Sequence, residues 1–71
     1  MNKNSQTRPP RLISMKEAEK RTGVSRAFIN RARAEGEFPK SVQIGPKRIG
    51  FVEAEVNQWI QERIDARGEV A

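Results

Sequence analysis

Between Ser25 and Ala34 the chain reads SRAFINRARA, which sets Arg26, Asn30 and Arg33 at i, i+4 and i+7. At about 100° per residue a helix carries these three on one ridge, with Ala27 and Ala34 between them. Phe28, Ile29 and Ala32 turn to the opposite, buried side. Guanidinium and carboxamide groups pair with guanine and adenine edges in the DNA major groove. The chemistry on offer is therefore hydrogen bonding to base edges, not bond making. On an isolated amphipathic helix such a ridge is ordinarily a solvated face, so its meaning depends on the elements that hold it.

Covalent chemistry is poorly provided for. The chain has no His, no Cys and no Tyr. Acid–base work would fall to carboxylates or Lys, and a nucleophile would lack its usual histidine partner. There is no glycine-rich phosphate loop. The chain does not read as an enzyme, and without Tyr it is not itself a tyrosine recombinase. Without Cys there is neither a disulfide nor a thiolate zinc site, and no cofactor or metal is expected.

Seventy-one residues allow one domain with a small core. No apolar run approaches the ~20 residues that cross a membrane. MNKNSQTRPP lacks the apolar centre of a signal peptide. A cytoplasmic, nucleoid-associated protein with no membrane partner is expected. The net charge of +5 is unevenly spread. Residues 1–50 hold twelve Lys/Arg against four Glu, a net +8, and residues 51–71 hold two Arg against five Asp/Glu, a net −3. The basic excess thus surrounds the ridge, as a face suited to phosphates requires.

The flanking sequence supplies the elements. Residues 1–10 read as a flexible tail, with Lys3, Arg8 and Arg11 available to a DNA groove. Ser14-Met15-Lys16-Glu17 is a capping box, Ser at N-cap and Glu at N3, opening a helix over 15–21 with Met15 and Ala18 inward. Gly23 turns the chain, Val24 plugs the gap, and Ser25 caps the second helix. Gly36 and Pro39 end that helix. Two short helices across a glycine-bearing turn make a helix-turn-helix. Val42 with Ile44, and Ile49 with Phe51, alternate around Gly45-Pro46-Lys47-Arg48, which predicts a hairpin with a basic tip. Residues 53–66 return to helical period, with Val56, Trp59, Ile60, Arg63 and Ile64 on one face. Trp59 is assigned to the core. Gly68 ends that helix, and 67–71 form a flexible C-terminal tail. The expected fold is mainly α with a small β-hairpin, a winged helix-turn-helix domain over 11–66.

Five markers in order then carry a resemblance: Thr22-Gly23-Val24-Ser25-Arg26, Gly36-Glu37-Phe38-Pro39, Ile44-Gly45-Pro46, Ile49-Gly50-Phe51 and Glu55-Val56-Asn57-Gln58-Trp59-Ile60. Over about residues 11–63 the chain resembles the AlpA family of small phage and genomic-island regulators. The resemblance implies a winged helix-turn-helix of the MerR/excisionase-like type. It also implies a role in activating transcription of a linked integrase, or as an excisionase that directs a recombinase. Carried over by position, Ser25 to Ala34 is the recognition helix and Gly45 to Arg48 the wing. Phe51 stands where the family commonly has Trp, Ala32 where a larger apolar residue is usual, and Asn30 where an aromatic is common.

The expected partner is double-stranded DNA, read in sequence. Arg26, Ala27 and Asn30 are assigned to base edges, Ala27 by close approach or a thymine methyl. Ser25, Arg31, Arg33, Lys40, Lys47 and Arg48 are assigned to phosphates, or for the wing to the minor groove. Several copies binding cooperatively, with an integrase or RNA polymerase as further partner, fit the resemblance. The alternative is a protein–protein interaction module whose basic face docks an acidic partner.

Overall fold

Ser14 ends one element and starts the next. In a computed structural model describing residues 9–68, the elements are β1 (Leu12–Ser14), α1 (Met15–Thr22), α2 (Arg26–Ala34), β2 (Val42–Gly45), β3 (Arg48–Val52) and α3 (Glu53–Gly68). Ser14 keeps extended backbone, and its hydroxyl accepts the Glu17 N–H at 3.0 Å. The expected cap is present. The Glu17 carboxylate accepts from Arg21 Nε at 2.9 Å.

Gly23 closes α1 at φ +77°, its N–H donating to the Glu19 carbonyl at 2.8 Å. A side chain there would be strained, which is why glycine stands at the turn. Ser25 repeats the cap, accepting the Phe28 N–H at 3.1 Å. Past α2, Gly36 takes φ +74°. The Glu37 N–H reaches back to the Ala32 carbonyl at 2.8 Å and the Gly36 N–H to that of Arg33 at 3.0 Å. This paired closure, the Schellman motif, sends the chain back toward the core, where Phe38 is buried.

The helix-turn-helix, wing and C-terminal helix are as the sequence predicts, with one strand added. The sheet has three antiparallel strands in the order β1-β3-β2. Leu12, Ile13 and Ser14 face Val52, Phe51 and Gly50. Val42, Gln43 and Gly45 face Gly50, Ile49 and Arg48, with a bulge at Ile44. Gly50 lies between two partner strands. A Cβ there would stand 2.8 Å from the Ile13 carbonyl oxygen and 2.5 Å from Ile44 Cδ1. The expected alternation of Val42 and Ile44 does not put them in the core. Val42 shares the outer face with Leu12 and Val52, and the bulge leaves Ile44 47% exposed.

The core consists of Ile13, Met15, Ala18, Ile29, Ala32, Phe38, Phe51 and Val56. Phe38 stands edge-on to Phe51, with ring centroids 5.3 Å apart, and tilted against Trp59 at 5.1 Å. Such aromatic pairs stabilise beyond their buried area. Two residues read as inward are not buried. Phe28 is 42% exposed, because only Ile29 and Ala32 of α2 are fully covered and Phe28 lies at the edge of that narrow stripe. Ile64 is also 42% exposed, since every described residue of α3 from Gln61 on is exposed. Trp59 is half-buried at the rim, with its indole N–H donating to the Glu37 carbonyl at 2.9 Å and Arg63 4.8 Å from its ring centroid.

Arg21 joins α1 to α3. Its guanidinium lies 2.9 Å from both the Glu17 and Glu53 carboxylates and 3.4 Å from Asn57 Oδ1. α3 runs two residues beyond the expected 66. The tails expected over 1–10 and 67–71 otherwise fall outside the described residues, save Pro9, Pro10, Arg67 and Gly68.

Candidate nucleic-acid interface

α2 is nine residues held at both ends. Ser25 satisfies its first turn, and the Gly36 turn satisfies its last carbonyls. Ile29 and Ala32 press its inner side onto the core. The rest of the helix is free to meet a ligand: Ser25, Arg26, Ala27, Asn30, Arg31 and Ala34 are all exposed. Ala27 and Ala34 are small, so the helix backbone can come close to a surface at this point. Arg26 and Asn30 on one flank and Arg31 on the other stand around them.

The helix dipole places partial positive charge at the N-terminus of α2. No acidic residue occupies its first turn, so nothing on the helix itself neutralises that end. Among the described residues, the only ion pairs are those of Arg21. Arg26, Arg31, Lys40, Lys47 and Arg48 are exposed and carry no acidic partner there. Glu17 sits below the usual carboxylate range, chiefly because its carboxylate accepts the Arg21 hydrogen bond. Arg21 is raised by its bonds to Glu17 and then Glu53. That arginine serves the helix joint.

Arg33 departs from the expected outward ridge. It is half-buried: one guanidinium nitrogen donates to Asn30 Oδ1 at 2.8 Å and another to Ser41 Oγ at 2.9 Å. Its carbon lies 5.9 Å from the Phe51 ring centroid. A cleft between the end of α2 and the strand that follows is lined by Asn30, Arg33, Ala34, Lys40 and Ser41. The structure thus brings Asn30, Arg33 and Lys40 to one place. Lys47 lies in the turn between β2 and β3, and Arg48 opens β3.

Ser41 and Phe38 escape the sequence reading. Nothing in the type of Ser41 marks it, since its role depends on the chain doubling back along α2. Phe38 carries a signal, an aromatic placed directly after the Gly36 turn, where a helix closure is commonly met by an apolar contact. Among the described residues, no group of acidic side chains could hold a metal ion, and no helix is long and apolar enough to cross a membrane.

The family model described as prophage CP4-57 regulatory protein (AlpA) matches residues 11–64. The chain is similar to the DNA-binding transcriptional activator AlpA of Escherichia coli (strain K12), 33% identical over 59 residues, covering 75% of this chain and 84% of that protein. It is also similar to the uncharacterized protein ORF88 of Enterobacteria phage P4, 33% identical over 57 residues, covering 80% of this chain and 65% of the phage protein. No solved structure matches the chain significantly.

Proposed function

The chain belongs to the AlpA family of prophage regulatory proteins, and from that premise we propose that it is a sequence-specific double-stranded DNA-binding regulator of a mobile element. The observation that carries this reading is the exposed face of α2. A helix capped at both ends presents Arg26, Ala27, Asn30 and Arg31 to solvent without an acidic partner among the described residues. In this reading α2 enters the major groove by its N-terminal half. Arg26 and Asn30 meet base edges, and Ala27 permits close approach or meets a thymine methyl. Ser25, Arg31 and Lys40 take phosphates, and Lys47 and Arg48 carry the wing to the backbone or minor groove. Arg33, also read as a phosphate contact, joins this set through its bond to Asn30 and is anchored on Ser41.

The biological role proposed with it is transcriptional regulation, excisionase activity, or both, beside a linked integrase. Several copies bind neighbouring sites, and the protein works in the cytoplasm. The similarity to a protein named as a transcriptional activator supports the regulatory half.

Purified protein mixed with sheared DNA carrying the element, recovered at physiological salt and sequenced, tests the reading. A promoter site is expected from a regulator, and repeated sites beside an attachment site from an excisionase. Retention of random DNA alone would refute sequence-specific recognition. No retention at all would favour docking of the basic face on an acidic protein.

A further inference from the structure

Arg33 and Asn30 are joined before any ligand arrives. The guanidinium of Arg33 meets Asn30 Oδ1 at 2.8 Å, Ser41 Oγ at 2.9 Å and the Phe51 ring at 5.9 Å from its centroid. Phe51 is fully buried, so one of these three anchors cannot move. Spacing of i, i+3 on α2 brings the two side chains together. The closure at Gly36 brings Ser41 beside them, at one wall of the cleft that all three line.

A guanidinium only donates. The atom of Asn30 that faces it is therefore the carbonyl oxygen, and the NH2 is the group left for a ligand. We propose that Arg33 is a positioning residue: it holds the Asn30 carboxamide with its NH2 outward, so that Asn30 selects guanine. An unconstrained asparagine pairs with adenine through both atoms, oxygen to N6–H and nitrogen to N7. Here one of the oxygen's two lone pairs is held by the Arg33 guanidinium. Guanine offers two adjacent acceptors, N7 and O6, to the outward NH2. Adenine offers one acceptor beside a donor, and that donor must share the oxygen that Arg33 already holds. The inference rests on the reading of α2 as the recognition helix.

The test is selection from a randomised duplex library, followed by competition between duplexes that differ at one base. The wild-type protein is expected to enrich a motif with one guanine whose selection disappears in Asn30→Ala. Arg33→Lys keeps the charge and loses the fork. It is expected to reduce discrimination at that base by roughly tenfold, with preferences elsewhere and the salt dependence retained. Ser41→Ala should shift the same base in the same direction. A merely structural role would lower affinity at every position alike, which would overturn the proposal, and circular dichroism of each variant shows whether the fold is kept. Adenine at the Asn30 position, or guanine selection untouched by Arg33→Lys, would overturn the proposal alone. A wild-type protein that enriches no motif would remove the recognition-helix reading, and the proposal with it.

Discussion

Salt dependence gives the sharpest check on how the protein meets DNA. The chain has fourteen Lys and Arg, and the structure sorts several of them. Arg21 is held by Glu17 and Glu53, Arg33 by Asn30 and Ser41, and Arg63 lies over Trp59. Arg31, Lys40, Lys47 and Arg48 are the exposed cations of the interface assigned to phosphates. Four phosphate contacts predict a slope of log K against log salt of about −3.6, a loss of roughly 150-fold between about 50 and 200 mM. The pair Lys47→Ala/Arg48→Ala should halve the slope to about −1.8, a loss of roughly 12-fold over the same range. Fluorescence anisotropy of a labelled duplex, titrated at four salt concentrations, measures both. The change should be equal for target and random DNA, because phosphate contacts carry no sequence information. An unchanged slope in the double variant would refute the wing as a backbone contact. A flat slope in the wild-type protein would refute phosphate binding altogether.

Other expectations concern the frame around the interface. Gly50→Ala forces a Cβ against the Ile13 carbonyl, which is strand backbone and cannot swing away as Ile44 can; a loss of about 1–3 kcal/mol is expected in denaturant titration, and an unchanged midpoint would contradict the β1–β3 pairing. Ser25→Ala removes the α2 cap and should cost about 1 kcal/mol. Ser25→Asp restores the cap but sets a negative charge at the proposed phosphate contact, so stability should hold while DNA affinity falls. Equal affinity for the two would discard Ser25 as a contact. Glu17 has a folded pKa below its unfolded one, so its contribution is full above the unfolded carboxylate range and fades as pH falls through the folded value. Glu17→Gln should therefore melt lower than wild type at neutral pH, and the gap should close in acid. Arg21 stays charged throughout and adds no pH dependence in that range. A gap that persists in acid would assign the loss to packing.

Local chemistry made much of this fold legible. Ser14, Gly23, Ser25 and Gly36 announce the ends of α1 and α2 through groups that act within a few residues, and each does so in the structure. The basic hairpin was equally local. β1 was not, because three residues carry too little alternation to signal a strand and their partner lies about forty residues away. Helical period points Phe28 inward but gives a direction and not the width of the covered stripe, and Phe28 stays exposed. Ile64 has the right direction, but the body of the protein ends before it. Period points Arg33 outward, yet a long side chain can turn back, and Ser41 and Asn30 give it reason to. The face of α2 was thus visible in the sequence, while the bonds that fix its side chains depend on distant parts of the chain.

The strand order has a consequence for synthesis. β1 is made first, and the strand that pairs with it lies beyond two helices and the first arm of the hairpin. At about 5–20 residues per second, some 2–8 seconds separate the making of the two strands. α1 and α2 can curl during that interval, but Ile13 has no Phe51 to rest on. Ile13 therefore travels uncovered until the centre strand emerges. Released chains of increasing length are expected to gain protease resistance as their end point passes from Gly50 to Val56, not at the end of α2. A released chain truncated at Lys40 that already resisted digestion would disprove this order of events.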